Sequence, residues 1–410
     1  MRDNANNDID PVIHHLEGLK SLSLVIKGFV GKKLFGLGIA LIERAFGVNS
    51  RFSIARFLQR LVSIVTWAYA IALLSVFVFM RWLGEANITS AFFLYLPPAV
   101  WFLPGIPLMA LGLIFNRRSV LILGGVCAAT IYGFIGYRAG GADDLGDKTQ
   151  QITVMTYNRG QHMNQSLQPF KAATQPDLLV FQDAPNRAET FLRSPDYSEF
   201  AHGGSVGEFT LLSRYPILEK VLLPEQAGPR AMRFARFVVD WQGRSISIYA
   251  VHLKTPREVL SSYARGAFLW GILGVPGTSG ATKRRQYQVF WDEQMLDAER
   301  ILTAAKNDPN PCVLAGDFNA PSLGRIHQRI TSNMTDAHLA AGSGFGFSFP
   351  GVTRNPLSLG GPWMRIDYLF HDENWETIQC ITEPDRPSQH RAVVAKLRFL
   401  GDGRDGNRGE

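Results

Sequence analysis

The stretch "CVLAGDFNAP", residues 312–321, joins an apolar, strand-like run to a short polar turn. The run from Cys312 to Ala315 predicts a buried strand, because it is apolar and turn residues follow it. Asp317 and Asn319 follow this run within four residues. Ligands of open α/β sheets commonly bind at strand ends, where loops converge above a rigid scaffold. The stretch therefore predicts a functional turn on a sheet, although "GDFN" alone could be an ordinary turn.

The same arrangement recurs along the C-terminal two thirds of the chain. "TVMTYN" ends on Asn158, "LLVFQD" on Asp183 and "SIYAVH" on His252. Asp367 interrupts the apolar run "RIDYLF", and His390 precedes the run "RAVVAKLRF". Each residue alone is more often a turn former or a satisfied histidine; a carboxylate inside an apolar run is the exception, because it needs a partner. Their repeated position at strand ends favours one shared site.

Short apolar runs predict the strands of this region. They are "ITVMTYN", "DLLVFQD", "FTLLS", "RFARFVVDW", "SISIYAVHL", "CVLAGDFN", "RIDYLFH" and "RAVVAKLRF". One long helix is expected at about 283–305, where apolar residues recur at helical spacing. Strands that alternate with polar helices predict a mixed α/β domain over residues 152–400, with its sheet core covered by helices.

The N-terminal third of the chain is far more apolar. Three runs without a charge, at 61–80, 91–115 and 119–137, are near or above the roughly 18–20 residues that cross a bilayer. Their number, length and position exclude a removable signal peptide. We therefore expect an α-helical transmembrane region over 51–137, which makes the chain an integral membrane protein with membrane lipids as partners.

The remaining segments complete the expected organisation. Residues 1–50 form a polar N-terminus and a basic amphipathic segment, which lies on a membrane surface or packs as an ordinary helix. Residues 138–151 are typical of a Gly- and Asp-rich linker, and 401–410 of a disordered tail. The apolar stretch within 257–285 is either a lid or membrane-dipping element, or an extra helix packed on the domain.

The distribution of Lys and Arg predicts the orientation. Basic residues precede the first apolar run, and Arg117 and Arg118 separate the second from the third. The positive-inside rule then places the N-terminus in the cytoplasm and the C-terminal domain outside the cytoplasm, at the cell membrane. The Pro97–Pro98 pair could instead make the second run re-entrant, which would reverse this orientation. These membrane-flanking charges also explain much of the net charge of +7.

With these motifs in place, the chain resembles the endonuclease/exonuclease/phosphatase superfamily, which includes DNase I-like nucleases, inositol phosphatases and sphingomyelinases. The resemblance covers about 152–398 and rests on "TVMTYN", "PDLLVFQD", "FTLLSRYPI", "ISIYAVHL", "AGDFNAP", "RIDYLF" and "SQHRAV". "AGDFNAP" is the most specific of these motifs. The resemblance implies an α/β fold, a four-layer sandwich of two packed mixed sheets flanked by helices. It also implies a phosphodiesterase or phosphomonoesterase that depends on Mg²⁺ or Mn²⁺.

The resemblance also implies catalytic roles. Asp317 would orient or deprotonate the attacking water, and Asn319 would hold the phosphate or that water. His390 would stabilise the transferring phosphoryl group, and Asp367 would accept the other N–H of its ring. His252 would be a second phosphate contact or a general acid. Together these groups supply what phosphoester hydrolysis requires.

For the metal, the resemblance implies Asp183 as a ligand and Asn158 as a contact to the metal shell or the phosphate. Two positions depart from the family pattern, because Asp183 stands in place of Glu and Gln389 in place of an Asp of the metal shell. Weaker metal affinity is expected, although Gln389 keeps a carbonyl oxygen. These departures motivate an alternative function, a catalytically weak or silent domain that binds phosphorylated ligands. A purely structural membrane scaffold is the third possibility.

The sequence favours no single substrate class. The sequence shows no pocket for an abasic DNA site and no grip for an inositol phosphate. The anchor and the apolar insertion favour lipid headgroups or extracytoplasmic nucleic acid. No protein partner is predicted.

Overall fold

The computed structural model describes residues 54–140, 148–160, 166–224, 234–257, 259–260, 279–351, 360–386 and 388–401. Several sequence predictions concern segments outside these ranges: residues 1–50, the middle of the linker (141–147), the apolar part of the insertion and the C-terminal tail beyond residue 401.

The described strands lie between residues 138 and 399. In chain order they are β1 (Arg138–Ala139), β2 (Gln151–Asn158), β3 (Leu178–Gln182), β4 (His202–Val206), β5 (Phe209–Ser213), β6 (Ile217–Leu223), β7 (Phe234–Trp241), β8 (Arg244–His252), β9 (Cys312–Asp317), β10 (Thr335–Asp336), β11 (Ser343–Gly344), β12 (Asp367–His371), β13 (Trp375–Thr382) and β14 (Val393–Phe399).

Twelve of these strands form two mixed six-stranded sheets. The first sheet has the order β10-β12-β9-β8-β7-β6, and the second has the order β13-β14-β2-β3-β5-β4. The pairs β8–β9 and β2–β3 are parallel, and their neighbours in each sheet are antiparallel. Val154 and Val180 of the second sheet share one buried cluster with Ile248 and Val313 of the first. The two sheets therefore pack face to face.

Helices cover the outer face of each sheet. The described helices are α1 (Ile54–Leu83), α2 (Ile88–Leu94), α3 (Ala99–Phe102), α4 (Gly105–Phe115), α5 (Arg117–Thr130), α6 (Phe170–Thr174), α7 (Ala188–Leu192), α8 (Ser279–Lys306), α9 (Arg325–Thr331) and α10 (Ala337–Ala341). Trp291 and Ile301 of α8 are buried against Leu314 of the first sheet. Phe191 of α7 is buried against Phe181 of the second. The prediction of two packed mixed sheets flanked by helices is confirmed.

Each predicted strand corresponds to a strand of the structure, and α8 contains the predicted long helix. Three longer strands were not predicted: β4, β6 and β13. All three lie at sheet edges. An edge strand is covered on fewer sides, so its sequence needs less apolar character; β4 contains two glycines, and β6 and β13 carry exposed charged residues.

The N-terminal helices match the predicted apolar runs in two cases. Ile54–Ala86 and Arg117–Ile135 are each long and apolar enough to cross a membrane. The predicted second span instead contains two helical stretches, Ile88–Leu94 and Ala99–Phe115, which are bent by 94° at the Pro97–Pro98 break. The described segments therefore provide two potential spans, or three if the bent pair counts as one.

The chain divides into two compact units. One includes residues 54–71 and 104–124, and the other includes residues 72–103 and the described chain from 125 onward. Within the first unit, Gly105 lies against the ring of Tyr69 and Gly112 lies against Val120. The second unit contains both sheets. It also contains residues 84–96, which we call the inter-span loop.

Candidate active site

Strand register brings the predicted site residues together. In the first sheet, His252 at the end of β8 pairs with Asp317 at the end of β9. Asp367 at the start of β12 pairs with the same Asp317 from the other side. In the second sheet, β2 and β3 run parallel and end together, so that Asn158 lies beside the turn that carries Asp183. The ends of both sheets therefore supply one cluster of polar side chains.

Asp317 is the centre of this cluster, and its side chain is 1% exposed. Its Oδ1 accepts a hydrogen bond from the backbone N–H of Asn319 (2.8 Å). Its Oδ2 accepts from the Nδ2 of Asn158 (2.9 Å) and from the Nδ2 of Asn319 (3.2 Å). The same Oδ2 lies 3.7 Å from His252 Nε2 and 3.8 Å from His390 Nε2. Asp317 thus faces two imidazoles while two amides fix its orientation.

The surroundings of Asp317 raise its pKa to about 6. Burial is the main cause, and the charge of Asp367 adds to it, while His390 and His252 act in the opposite direction. A carboxylate with a pKa near neutrality is a better proton acceptor than an ordinary aspartate, and such shifts are common at catalytic sites.

His390 forms a buried pair with Asp367. Its Nδ1 lies 3.1 Å from Oδ2 of Asp367, and the ring of Phe349 covers the imidazole at a centroid distance of 4.8 Å. The backbone N–H of Asp367 donates to Ser348 Oγ (3.2 Å), which holds the start of β12 in place. Burial by itself lowers the pKa of His390, but the charges of Asp367 and Asp317 outweigh it, so the pKa is raised. The two carboxylates therefore favour the protonated form of His390.

His252 has an acidic partner of its own. Its Nδ1 lies 3.1 Å from Oε2 of Glu208 and 3.8 Å from Oδ1 of Asp183. Burial opposes protonation, but the hydrogen bond to Glu208 and the nearby carboxylate charges raise the pKa of His252 to about 9. The site therefore contains two imidazoles, each paired with a carboxylate.

Sequence reasoning missed Glu208. It lies at the tip of the hairpin between β4 and β5, next to Gly207, which has a φ of 59°. The backbone N–H of Ala184 donates to the carbonyl of Glu208 (2.8 Å), which ties this tip to the turn that carries Asp183. The only feature of the sequence that points to Glu208 is an acidic residue between a glycine and a strand-like run. This feature identifies a hairpin tip only if β4 is recognised as a strand.

The side chains of Asp183, Glu208 and His252 can approach a single ion. One potential ligand atom from each lies within 4.8 Å of the others, and both carboxylate side chains are 40% exposed. Burial and the neighbouring charge of Glu208 raise the pKa of Asp183. A divalent cation would relieve this repulsion, and carboxylate oxygens suit Mg²⁺ and Mn²⁺. The two carboxylates therefore fit such an ion, while His252 stays hydrogen-bonded to Glu208. A second group, Asp317, Asp367 and His390, is buried and bonded within itself.

The structure places the remaining predicted residues as follows. Asn158 donates to Asp317 and accepts from the backbone N–H of Gly160 (2.8 Å). The Nδ2 of Asn319 also donates to the carbonyl of Leu253 (2.8 Å), so both amides orient other groups of the site. The Oε1 of Gln389 accepts a hydrogen bond from the guanidinium of Arg257 (3.4 Å).

A sequence model of the Endonuclease/Exonuclease/phosphatase family matches residues 154–390, which is more than half of the chain. The chain belongs to this family. The match begins in β2 and ends at His390, so it includes every residue of the cluster described above.

The chain is also similar to several solved structures, some of them described as members of this family. An endonuclease/exonuclease/phosphatase from Bacteroides vulgatus is 17% identical, with 61% of this chain and 99% of that chain covered and a TM-score of 0.43. A D. rerio TDP2 complexed with a single-strand DNA product is 12% identical, with 62% and 100% covered and a TM-score of 0.43. A functionally unknown conserved protein from Enterococcus faecalis is 16% identical, with 60% and 100% covered and a TM-score of 0.40. No curated protein sequence matches the chain.

Proposed function

We propose that the protein is a membrane-anchored, divalent-metal-dependent phosphoesterase that hydrolyses a phosphodiester. The observation that carries this proposal is the position of Asp317 between two acid-paired imidazoles, next to a half-exposed pair of carboxylates. Such a set combines a proton acceptor, two cationic donors and an oxygen-rich metal site. Membership of the family supports the phosphoester class.

The chain's own residues account for the proton movements. Asp317 accepts the proton of the attacking water, whose oxygen forms the new bond to phosphorus. His390, held protonated by Asp367, stabilises the charge that develops on the phosphoryl oxygens. His252, held protonated by Glu208, donates its proton to the leaving oxygen as the scissile P–O bond breaks. Each proton taken from water is thus balanced by one given to the leaving group.

The remaining residues position these groups. Asn158 and Asn319 hold the carboxylate of Asp317 towards the imidazoles. Asp183 and Glu208 would hold Mg²⁺ or Mn²⁺, which when bound would neutralise phosphate charge. Glu208 supplies a second carboxylate to the site, in which the side chain of Asp183 is shorter than the Glu of the family pattern and Gln389 carries no charge.

Full-length protein in detergent, supplied with Mn²⁺, tests this function against DNA, RNA, phospholipid and nucleotide panels. Hydrolysis of at least one class is expected, and His390→Ala and Asp317→Ala should each abolish it. If both variants keep the wild-type rate, the site is not the active site. The lipid and nucleic-acid arms also distinguish the two substrate classes that a membrane-anchored domain would meet.

A second candidate function is a domain that binds phosphorylated ligands without hydrolysing them. The contact between Gln389 and Arg257 favours it, because this contact directs the carbonyl of Gln389 to a guanidinium instead of a metal shell. Calorimetric titration with Mn²⁺ separates the two functions. Ligand binding without metal binding would support the silent domain.

The membrane part of the proposal rests on the two long apolar helices, Ile54–Ala86 and Arg117–Ile135. They would anchor the chain in the cell membrane with the catalytic domain outside the cytoplasm, as the positive-inside bias indicates. A reporter enzyme fused to the C-terminus measures this directly. Activity of a reporter that works only in the cytoplasm would contradict the orientation.

A further inference from the structure

The inter-span loop, residues 84–96, packs on the catalytic domain. Ile88 and Ala91 of α2 are buried in the same cluster as Trp291 of α8 and Leu314 of β9. The ring of Tyr95 packs against Trp291, with 6.0 Å between the centroids. The apolar face of α2 therefore contacts the outer layer of the first sheet.

Glu85 fixes the start of this loop. It is almost fully buried, and its carboxylate accepts a hydrogen bond from the backbone N–H of Arg325, the first residue of α9. Gly324 makes this approach possible, because a Cβ at that position would come within 1.9 Å of Glu85 Oε1. A buried carboxylate needs such a donor. The contact thus ties the loop to the domain by a specific polar bond as well as by apolar packing.

Tyr95 connects the loop to the proposed active site. Its hydroxyl donates to the backbone carbonyl of Asn319 (2.7 Å), and the next carbonyl, that of Ala320, accepts from the hydroxyl of Tyr368 (2.8 Å). The carbonyl of Tyr95 in turn accepts from Trp363 Nε1 (3.3 Å). Two tyrosine hydroxyls therefore bind consecutive carbonyls, those of Asn319 and Ala320, in the turn that follows β9.

This turn needs external support. Asn319 has a φ of 47°, in the left-handed region that non-glycine residues seldom adopt and that surrounding contacts must stabilise. Its backbone N–H and its side chain both bind Asp317, and its carbonyl accepts from Tyr95. The same residue therefore contacts both the proposed base and the inter-span loop.

We propose that the inter-span loop is part of the catalytic apparatus, with Tyr95 as a positioning residue that holds the turn of Asp317 and Asn319. The inference rests on the proposed function of the same site. The catalytic domain then includes residues 84–96 as well as the chain that begins at residue 152. A fragment that starts in the linker would lose the donor to Asn319 and expose the apolar surface that α2 covers.

The same contacts restrict the path of the chain through a membrane. Because the loop touches the catalytic domain, both lie on one side of any bilayer. The chain between Pro97 and Ile135 must therefore start and end on the same side, which requires either two crossings or none. A re-entrant second segment followed by a single crossing would place the loop and the domain on opposite sides, so it is not compatible with these contacts.

Tyr95→Phe in the full-length protein tests the inference, because it removes only the hydroxyl and keeps the ring against Trp291. We expect kcat to fall about tenfold, equivalent to about 1.4 kcal/mol, with KM, Mn²⁺ affinity and melting temperature unchanged. Deuterium exchange of a peptide that covers residues 316–322 should become faster. Tyr132→Phe is the matched control: its ring is 55% exposed in the third apolar segment, and neither quantity should change.

Several outcomes would overturn the inference. Unchanged kcat, with or without faster exchange, shows that Tyr95 does not position the base. A fall in kcat that follows a lower melting temperature and a smaller folded fraction indicates a structural role only. If the wild type hydrolyses no phosphoester, the proposed function fails, but deuterium exchange still decides whether Tyr95 holds the turn.

Discussion

Replacing Asp367 by Asn removes a charge that raises the pKa of His390, while the size of the side chain stays the same. Asp367 Oδ2 lies 3.1 Å from His390 Nδ1, and its side chain is 1% exposed, so water screens the pair little. At an effective dielectric constant of about 20, unit charges at this distance attract by about 5 kcal/mol, which is an upper limit. Loss of one partner of a buried pair costs about 3–5 kcal/mol.

The activity should fall accordingly. If most of this energy is lost from the transition state, kcat falls by about a hundredfold to a thousandfold, at about 1.4 kcal/mol for each factor of ten. The fall has a direct cause, because the variant loses the imidazolium that stabilises the developing phosphoryl charge. The assay is hydrolysis of a chromogenic phosphodiester by full-length protein with Mn²⁺.

The pH dependence of the Asp367→Asn variant provides a second, independent test. Burial lowers the pKa of His390, and the charges of Asp367 and Asp317 raise it. Without Asp367 one of the two raising charges is gone, so the pKa of His390 falls and the protonated form is lost at lower pH. The pKa of Asp317, raised to about 6 by burial and by Asp367, also falls, so the base stays ionised in more acidic solution. Both limbs of the pH profile of kcat/KM should therefore move to lower pH.

Asp372→Asn is the matched control, because Asp372 follows the opposite end of the same strand. Its carboxylate accepts from the backbone N–H groups of Cys312 (2.7 Å) and Asn374 (3.0 Å). We expect this variant to keep the wild-type pH profile. The reasoning is refuted if Asp367→Asn keeps kcat within about threefold of the wild type, or if its alkaline limb does not move.

Three further predictions concern metal affinity and stability. Glu208→Gln should weaken Mn²⁺ binding by about tenfold or more in calorimetry, because it removes one of two carboxylates; equal affinity would exclude Glu208 as a ligand. Gln389→Asp should tighten Mg²⁺ binding without altering the dependence on His390, and unchanged or weaker binding would count against a place in the metal shell. Asp336→Asn should lower the free energy of unfolding by about 3–5 kcal/mol, since it leaves the buried Arg365 unpaired. Denaturation curves measure this change, and a loss below about 1 kcal/mol would contradict it.

The residues at the strand ends could be predicted from the sequence, because each apolar run ends at a recognisable polar residue. Apolar runs show where strands finish, and parallel or antiparallel register then sets which ends meet. His252, Asp317 and Asp367 are adjacent for this reason. The structure brings these residues together, while their catalytic roles stay predictions. Edge strands carried a weaker signal because they bury fewer side chains.

Glu208 and Tyr95 could not be found in this way. Glu208 lies on a hairpin whose first strand, "HGGSV", has no apolar alternation, and its approach to Asp183 depends on how two loops meet in space. Tyr95 follows the helical sequence "ITSAFFL", whose last four residues belong to the apolar run 91–115 that predicted a membrane span. Hydropathy does not distinguish a helix that faces lipid from one that faces a protein core. Only the fold shows that this helix covers the catalytic sheet.

Hydrolysis of a phosphodiester in heavy-oxygen water by the full-length protein with Mn²⁺ tests the central claim most directly. We predict that the wild type incorporates the label into the phosphate product and that Asp317→Ala does not. Retained metal binding in the variant would show that the loss is one of proton transfer. Labelled product at the wild-type rate from Asp317→Ala, or no hydrolysis by a wild type that binds Mn²⁺, would contradict the account.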